Sequence, residues 1–227
     1  MKTSPCGQYT LQSQEDDRDV TLSVYRMGQS TPIQTITGPM PYTRFDWFTH
    51  RSRTWIWFST HNQKILVDLT NNQLYTKDED SSDFIFYWTN SHSSPDGNLL
   101  IAEGCYWAGP YQYRYMDISK LTEGGWAAVV NLVPDGVIAE HTTNGGSVVD
   151  FLPTDIPPGY TIRIAAKQTY YRHGTKLLDC YGKDNDEYNL IKDKCNDNRI
   201  DMVYHIMICK PQDGHMVLLS ESFPTPV

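Results

Sequence analysis

The chain has 227 residues, of which 39% are hydrophobic, 12% aromatic and 20% charged, and its 19 basic residues face 27 acidic ones for a net charge of −8. Fifteen Tyr, seven Phe and six Trp supply the aromatic content that disordered chains lack, so the chain is expected to fold, and its length suits one all-β domain of ordinary size or two small domains, one being the simpler reading. No Lys/Arg cluster interrupts the acidic balance, which excludes the electrostatic footprint of a phosphate-backbone binder and removes nucleic acid from the expected partners.

Residues 1–19 are polar and carry the acidic run Glu15-Asp16-Asp17. They lack the apolar core of a signal peptide, and the expectation is a flexible N-terminal segment ahead of a single domain over residues 20–227. No apolar stretch nears the roughly 20 residues that span a bilayer. The five cysteines, Cys6, Cys105, Cys180, Cys195 and Cys209, are irregularly spaced with no CxxC pair, which points to free thiols rather than a disulfide framework. These features lead to the expectation of a soluble intracellular protein of the cytoplasm.

Along the chain, residues 20–27 and 33–37 read as two strands. A first four-strand pattern follows: 42–48, a turn at 50–53, Trp55-Ile56-Trp57-Phe58, a link at Asn62-Gln63, 64–69, a turn at Asn71-Asn72, and Leu74-Tyr75. The second is clearer. The β-branched and aromatic run 84–88 leads to Ser94-Pro95-Asp96-Gly97, which has Pro and Gly where a tight turn wants them, so a hairpin into 98–105 is predicted. Gly109-Pro110 breaks that strand, 111–118 alternates as a third, and Gly124-Gly125 precedes a fourth at 126–132. Val67-Asp68-Leu69-Thr70 matches Met116-Asp117-Ile118-Ser119 at a spacing of 49, a blade-length repeat. Beyond residue 130 the pattern is cruder: strands at 147–152, 160–171 and 176–179, then 202–209 and 215–220 joined by Pro211-Gln212-Asp213-Gly214.

The Ser-Pro-Asp-Gly turn followed by Leu99-Leu100-Ile101-Ala102, with hydrophobic-Asp-hydrophobic-Ser closing the next strand, resembles a blade of the WD40-like or TolB-like β-propellers. The resemblance covers roughly residues 42–130 and implies a fold, not an activity. It suggests a small β-propeller of about four blades, each of four antiparallel strands, with the last blade closed by pairing 20–37 against 202–220. A five-bladed ring or a two-sheet β-sandwich uses much the same strands.

No catalytic residues, cofactor or metal are predicted. Cys180, Cys195, His173, His205 and Cys209 lack the close ligand pairs of structural zinc sites, and the loop from Asp184 places Asn189 and Cys195 where a calcium-binding EF-hand needs Gly and Glu. There is no Gly-x-Ser-x-Gly elbow for a nucleophile, and Gly124-Gly125 and Gly145-Gly146 have neither Walker nor dinucleotide spacing. The large aromatics Tyr106 and Trp107, ahead of Ala108-Gly109-Pro110-Tyr111, are different, because Trp and Tyr bring large contact area at low entropic cost. If links between second and third strands share one propeller face, that face collects Tyr106, Trp107, Tyr111, His61, Asn62, Arg172 and His173, with Asp80 and Glu140 from links between blades. The expected function is a non-enzymatic binding or scaffold module for a protein partner or small polar ligand. The alternatives are a hydrolase or lyase with acid and base on loops, and a glycan-binding protein.

Overall fold

The computed structural model describes residues 1–40, 43–60, 63–78, 86–106, 111–136, 138, 148–173, 176–179 and 199–222, with side chains for those outside 166–205. The chain is all-β. It divides into two compact units, Met1–Gly109 with Tyr113–Asn131, and Pro110–Gln112 with Leu132–Val227.

The first unit contains three sheets of four strands, each an antiparallel meander in sequence order. The first sheet is β1 (Lys2–Thr3), β2 (Tyr9–Glu15), β3 (Asp19–Arg26) and β4 (Gln34–Pro39). The second is β5 (Arg44–His50), β6 (Arg53–Ser59), β7 (Gln63–Asp68) and β8 (Gln73–Asp78). The third is β9 (Phe86–Ser93), β10 (Leu99–Tyr106), β11 (Tyr111–Asp117) and β12 (Val130–Asn131).

The segment expected to be flexible therefore carries β1 and β2, and Tyr9 and Leu11 are each only 2% exposed. Its polar composition misleads because Gln12–Glu15 lie in the exposed half of β2, while Tyr9, Thr10 and Leu11 are buried. The turn into β2 repeats the turn into β10. In Ser4-Pro5-Cys6-Gly7 and Ser94-Pro95-Asp96-Gly97, the Ser amide donates to the carbonyl five residues on (Tyr9 and Leu99), and the Gly amide donates back to the Ser carbonyl, all at 2.9 Å. Gly7 and Gly97 have φ of 72° and 69°, a conformation glycine adopts without the steric cost of a Cβ. The middle sheet replaces this turn with a two-residue one, Arg51 and Ser52 at φ 48° and 60°, which suits the twist of a hairpin. In all three meanders the residue after the third strand donates its amide to the start of the second: Met27 to Gln8, Leu69 to Thr54 and Ile118 to Asn98.

The middle sheet is covered on both faces. Strand side chains alternate between faces, so Ile56, Phe58, Ile65 and Val67 join Tyr9, Leu11, Leu22 and Val24 in one core. Trp55, Trp57 and Leu66 join Phe86, Trp88, Leu100 and Met116 in another. This explains why Trp55-Ile56-Trp57-Phe58 is apolar at every position: all four are 0% exposed. The outer face of the first sheet is polar instead, with hydroxyl pairs Thr21–Thr37 at 3.0 Å and Ser23–Thr35 at 3.3 Å.

Two sequence expectations are corrected here. Residues 20–37 do not complete a sheet with 202–220, because β3 and β4 pair within the first sheet whereas β17 and β18 pair in the sheet of the second unit; a ring closed through that shared sheet is not formed. The fourth strand of the third meander is reduced to two residues, β12, opposite Met116 and Asp117. Residues 121–128 form instead a short helix α1 (Leu121–Gly124) and a 3-10 turn. The Trp126 indole donates to the Tyr75 carbonyl at 3.1 Å, and Gly125, at φ 58°, lies so close to the Tyr75 ring that a Cβ would come within 2.5 Å of it. That packing draws the segment out of an extended path.

The second unit is built on one sheet of order β13 (Val133–Pro134), β18 (His215–Ser222), β17 (Arg199–Gln212), β15 (Tyr160–His173) and β14 (Val148–Pro153), with β16 (Lys176–Asp179) also on β15. Only β13 and β18 run parallel in it. Tyr160, Ile162, Ile164, Met207, Cys209 and Met216 are buried. The β17–β18 turn is Asp213-Gly214, at φ 50° and 81°, since Gln212 already pairs with His215.

Candidate functional site

In the first unit the ends of the meanders are defined by contacts between their turns. The β5–β6 turn meets the β9–β10 turn where His50 Nδ1 lies 2.6 Å from the Gly97 carbonyl. Arg51 reaches Glu123 at 3.4 Å on the same side. The links β6–β7 and β10–β11 therefore leave from the opposite end.

At that end of the third sheet three adjacent strands bring together Phe86, Tyr106 and Arg114. Phe86 starts β9 and is 1% exposed; Tyr106 ends β10 and packs edge-on to it, ring centroids 5.2 Å apart. A register shift between Glu103 and Gly104 interrupts the alternation of β10 before Tyr106, and such a bulge re-aims the side chains beyond it. Arg114 lies on the same side of β11 as the core residues Met116 and Ile118. Its guanidinium sits 4.5 Å from the Phe86 ring centroid and 5.5 Å from that of Tyr106, and Nη2 donates to the Tyr106 hydroxyl at 2.9 Å. Cation–π contact and this hydrogen bond fix the planar fork. Tyr106 and Arg114 are both partly exposed. The ion pairs of the described residues join Arg51 to Glu123, Arg53 to Asp68 and Arg163 to Asp150; no described carboxylate pairs with Arg114. At the same end of the middle sheet, Ser59 is 0% exposed and its hydroxyl has no hydrogen-bond partner among the described residues.

Of the residues expected to share a binding face, Tyr106 is in this cluster and Tyr111 begins β11, partly buried. Trp107, His61, Asn62, Asp80 and Glu140 lie outside the described residues. Arg172 and His173 are on β15, opposite Leu177 and Lys176, and belong to the second unit. Arg114 was not among the expected residues. The signal for it was available: a lone cation in register with Met116 and Ile118, at an inward position of an alternating strand.

The repeated aspartates are turn devices. Asp68 accepts the Thr70 amide at 2.9 Å, the Asn71 amide at 3.2 Å and Arg53 at 3.2 Å, and Asp117 accepts the Ser119 amide at 2.8 Å. Ser91 donates to Asp46 at 3.1 Å while accepting the Trp57 indole at 2.7 Å, a polar thread between the second and third sheets. Hydrogen bonds also tune the thiols. Partial burial works to raise the Cys6 thiol, but hydrogen bonds from Ser4, Thr54 and the amides of Gln8 and Cys6 outweigh it and leave the thiol below its usual range. Burial raises Cys105 and pushes Cys209 up to about 12. Among the described residues no three His, Cys, Asp or Glu side chains gather as a metal site, and no helix is long and apolar enough to cross a membrane.

No protein-family model matches the chain, and no curated protein matches it.

Proposed function

We propose that the chain is a non-enzymatic binding module of β-propeller type, whose meanders are blades and whose β6–β7 and β10–β11 end holds a protein partner. The observation that carries this reading is the cluster of Phe86, Tyr106 and Arg114: an aromatic and a guanidinium, both held by neighbours and both partly exposed. Tyr and Arg are the residue types that concentrate binding energy at protein interfaces, and side chains already fixed lose little entropy on contact. The recurrence of the Ser-Pro-x-Gly turn in the first and third meanders supports the blade reading. The Tyr106→Ala chain is expected to recover its native partner from cell extract about ten-fold less efficiently than wild type. Asp96→Ala, at the opposite end, is expected to recover it normally, with stoichiometry read by mass spectrometry. Equal recovery by both variants would refute the location of the site.

A further inference from the structure

Resting on that reading, we propose that the Arg114 guanidinium receives a single carboxylate of the partner, an Asp or Glu side chain set in an otherwise apolar segment. Three observations lead there. Arg114 is held against Phe86 and bonded to the Tyr106 hydroxyl through Nη2, so its plane is fixed while other N–H donors of the fork remain to be used; a carboxylate takes two of them in parallel. No carboxylate among the described residues neutralises it, although the chain carries 27 acidic residues. Its surroundings are aromatic, which suits a ligand whose charge is flanked by apolar atoms and makes the charge-assisted pair stronger than it would be in open water.

The net charge of −8 selects within the anions. A polyacidic tract or a phosphate dianion meets repulsion from the whole molecule, whereas one carboxylate at one guanidinium meets it least. A glycan without acidic groups gains nothing from a cation that no described carboxylate pairs.

The test uses the isotopically labelled full chain and three probes in NMR titrations: N-acetyl-aspartate N-methylamide, its asparagine counterpart and inorganic phosphate. The expected result is a saturable shift, confined to amides near residues 86–88, 104–106 and 112–116, with the aspartate probe alone. Arg114→Lys keeps the charge but loses the fork and should weaken that response several-fold. Arg114→Met should reduce it by about ten-fold or more, with unchanged amides around Val24 and Met207 showing that both chains are folded. The inference is overturned if the asparagine probe shifts the same amides equally, if Arg114→Met responds like wild type, if no probe shifts them, or if phosphate binds there more tightly than the aspartate probe. Partner capture separates this inference from the reading beneath it. A partner lost with Tyr106→Ala but kept with Arg114→Met leaves the binding site standing and removes the carboxylate.

Discussion

The hydroxyls of Ser4 and Ser94 accept equivalent hydrogen bonds, from the Tyr9 amide at 3.1 Å and from the Leu99 amide at 2.9 Å. The N-terminal turn is thus as structural as the one ninety residues later. Ser4→Ala and Ser94→Ala should each cost about 1–3 kcal/mol, the range for leaving a buried amide without its acceptor. Leu11→Ala, in the core between the first and second sheets, should cost about 2–5 kcal/mol. Deleting residues 1–15 should remove the cooperative transition of the first unit, because it bares an edge of β3 along with the core face of Leu22 and Val24. Chemical denaturation measures all three; a deletion that melts like the intact chain would show that β2 adds nothing.

The two glycines of these turns separate backbone strain from steric clash. Both need positive φ, which costs a residue with a Cβ roughly 1–2 kcal/mol. A methyl added at Gly7 would meet open space, whereas a Cβ on Gly97 would lie 2.9 Å from His50 Cα and 3.0 Å from the Thr49 carbonyl oxygen. Gly97→Ala should therefore be the more destabilising of the two, and equal losses would mean that the turns do not pack as described.

His50 makes stability depend on pH. It is 0% exposed, Nδ1 faces the Gly97 carbonyl, and Nε2 is buried with no hydrogen-bond partner among the described residues. Burial lowers its pKa from 6.5, with Arg51 and Arg53 acting in the same direction against the Gly97 carbonyl and Asp68. Because the folded value lies below the unfolded one, the unfolded chain binds the proton first. The contribution is complete above pH 6.5 and is lost as the pH falls toward the depressed folded value. His50→Phe should flatten that part of the profile of unfolding free energy against pH; an unchanged slope would assign it to another group.

The thiols should react in order of exposure and thiolate character. Cys6 is exposed with a lowered pKa, and Cys209 is buried with its pKa raised to about 12. Iodoacetamide at neutral pH should label Cys6 well before Cys209, whose labelling should wait for unfolding. Peptide mapping at successive times reads the order, and Cys209 labelled as fast as Cys6 would contradict the core of the second unit.

The third meander was legible because its turn carries Pro and Gly at the places a tight turn dictates and β10 opens with the apolar run Leu99–Ala102. The middle sheet was legible for a similar reason, since two covered faces leave no polar alternation in Trp55-Ile56-Trp57-Phe58. The first meander was hidden by chemistry rather than by weakness: Cys6 replaces the aspartate in its turn, and β2 is polar wherever it faces water. The strand expected at 126–132 failed because the positive φ of Gly125 and the hydrogen bond of Trp126 depend on Tyr75, fifty residues away in sequence. Arg114 escaped notice because Tyr111–Asp117 reads as an ordinary alternating strand; only its side-by-side placement with Phe86 and Tyr106 turns a lone cation into an aromatic-lined one.

The account stands on the β10–β11 end being the surface that meets a partner. The most direct measurement installs photo-reactive benzoyl-phenylalanine in place of Tyr106, of Asp96 at the opposite end, or of Gln12 in the exposed half of β2, then irradiates each folded chain with its native extract. A single stoichiometric adduct from position 106, absent from 96 and 12, is the predicted result. The same adduct from all three positions, or one from 96 or 12 and none from 106, would contradict it.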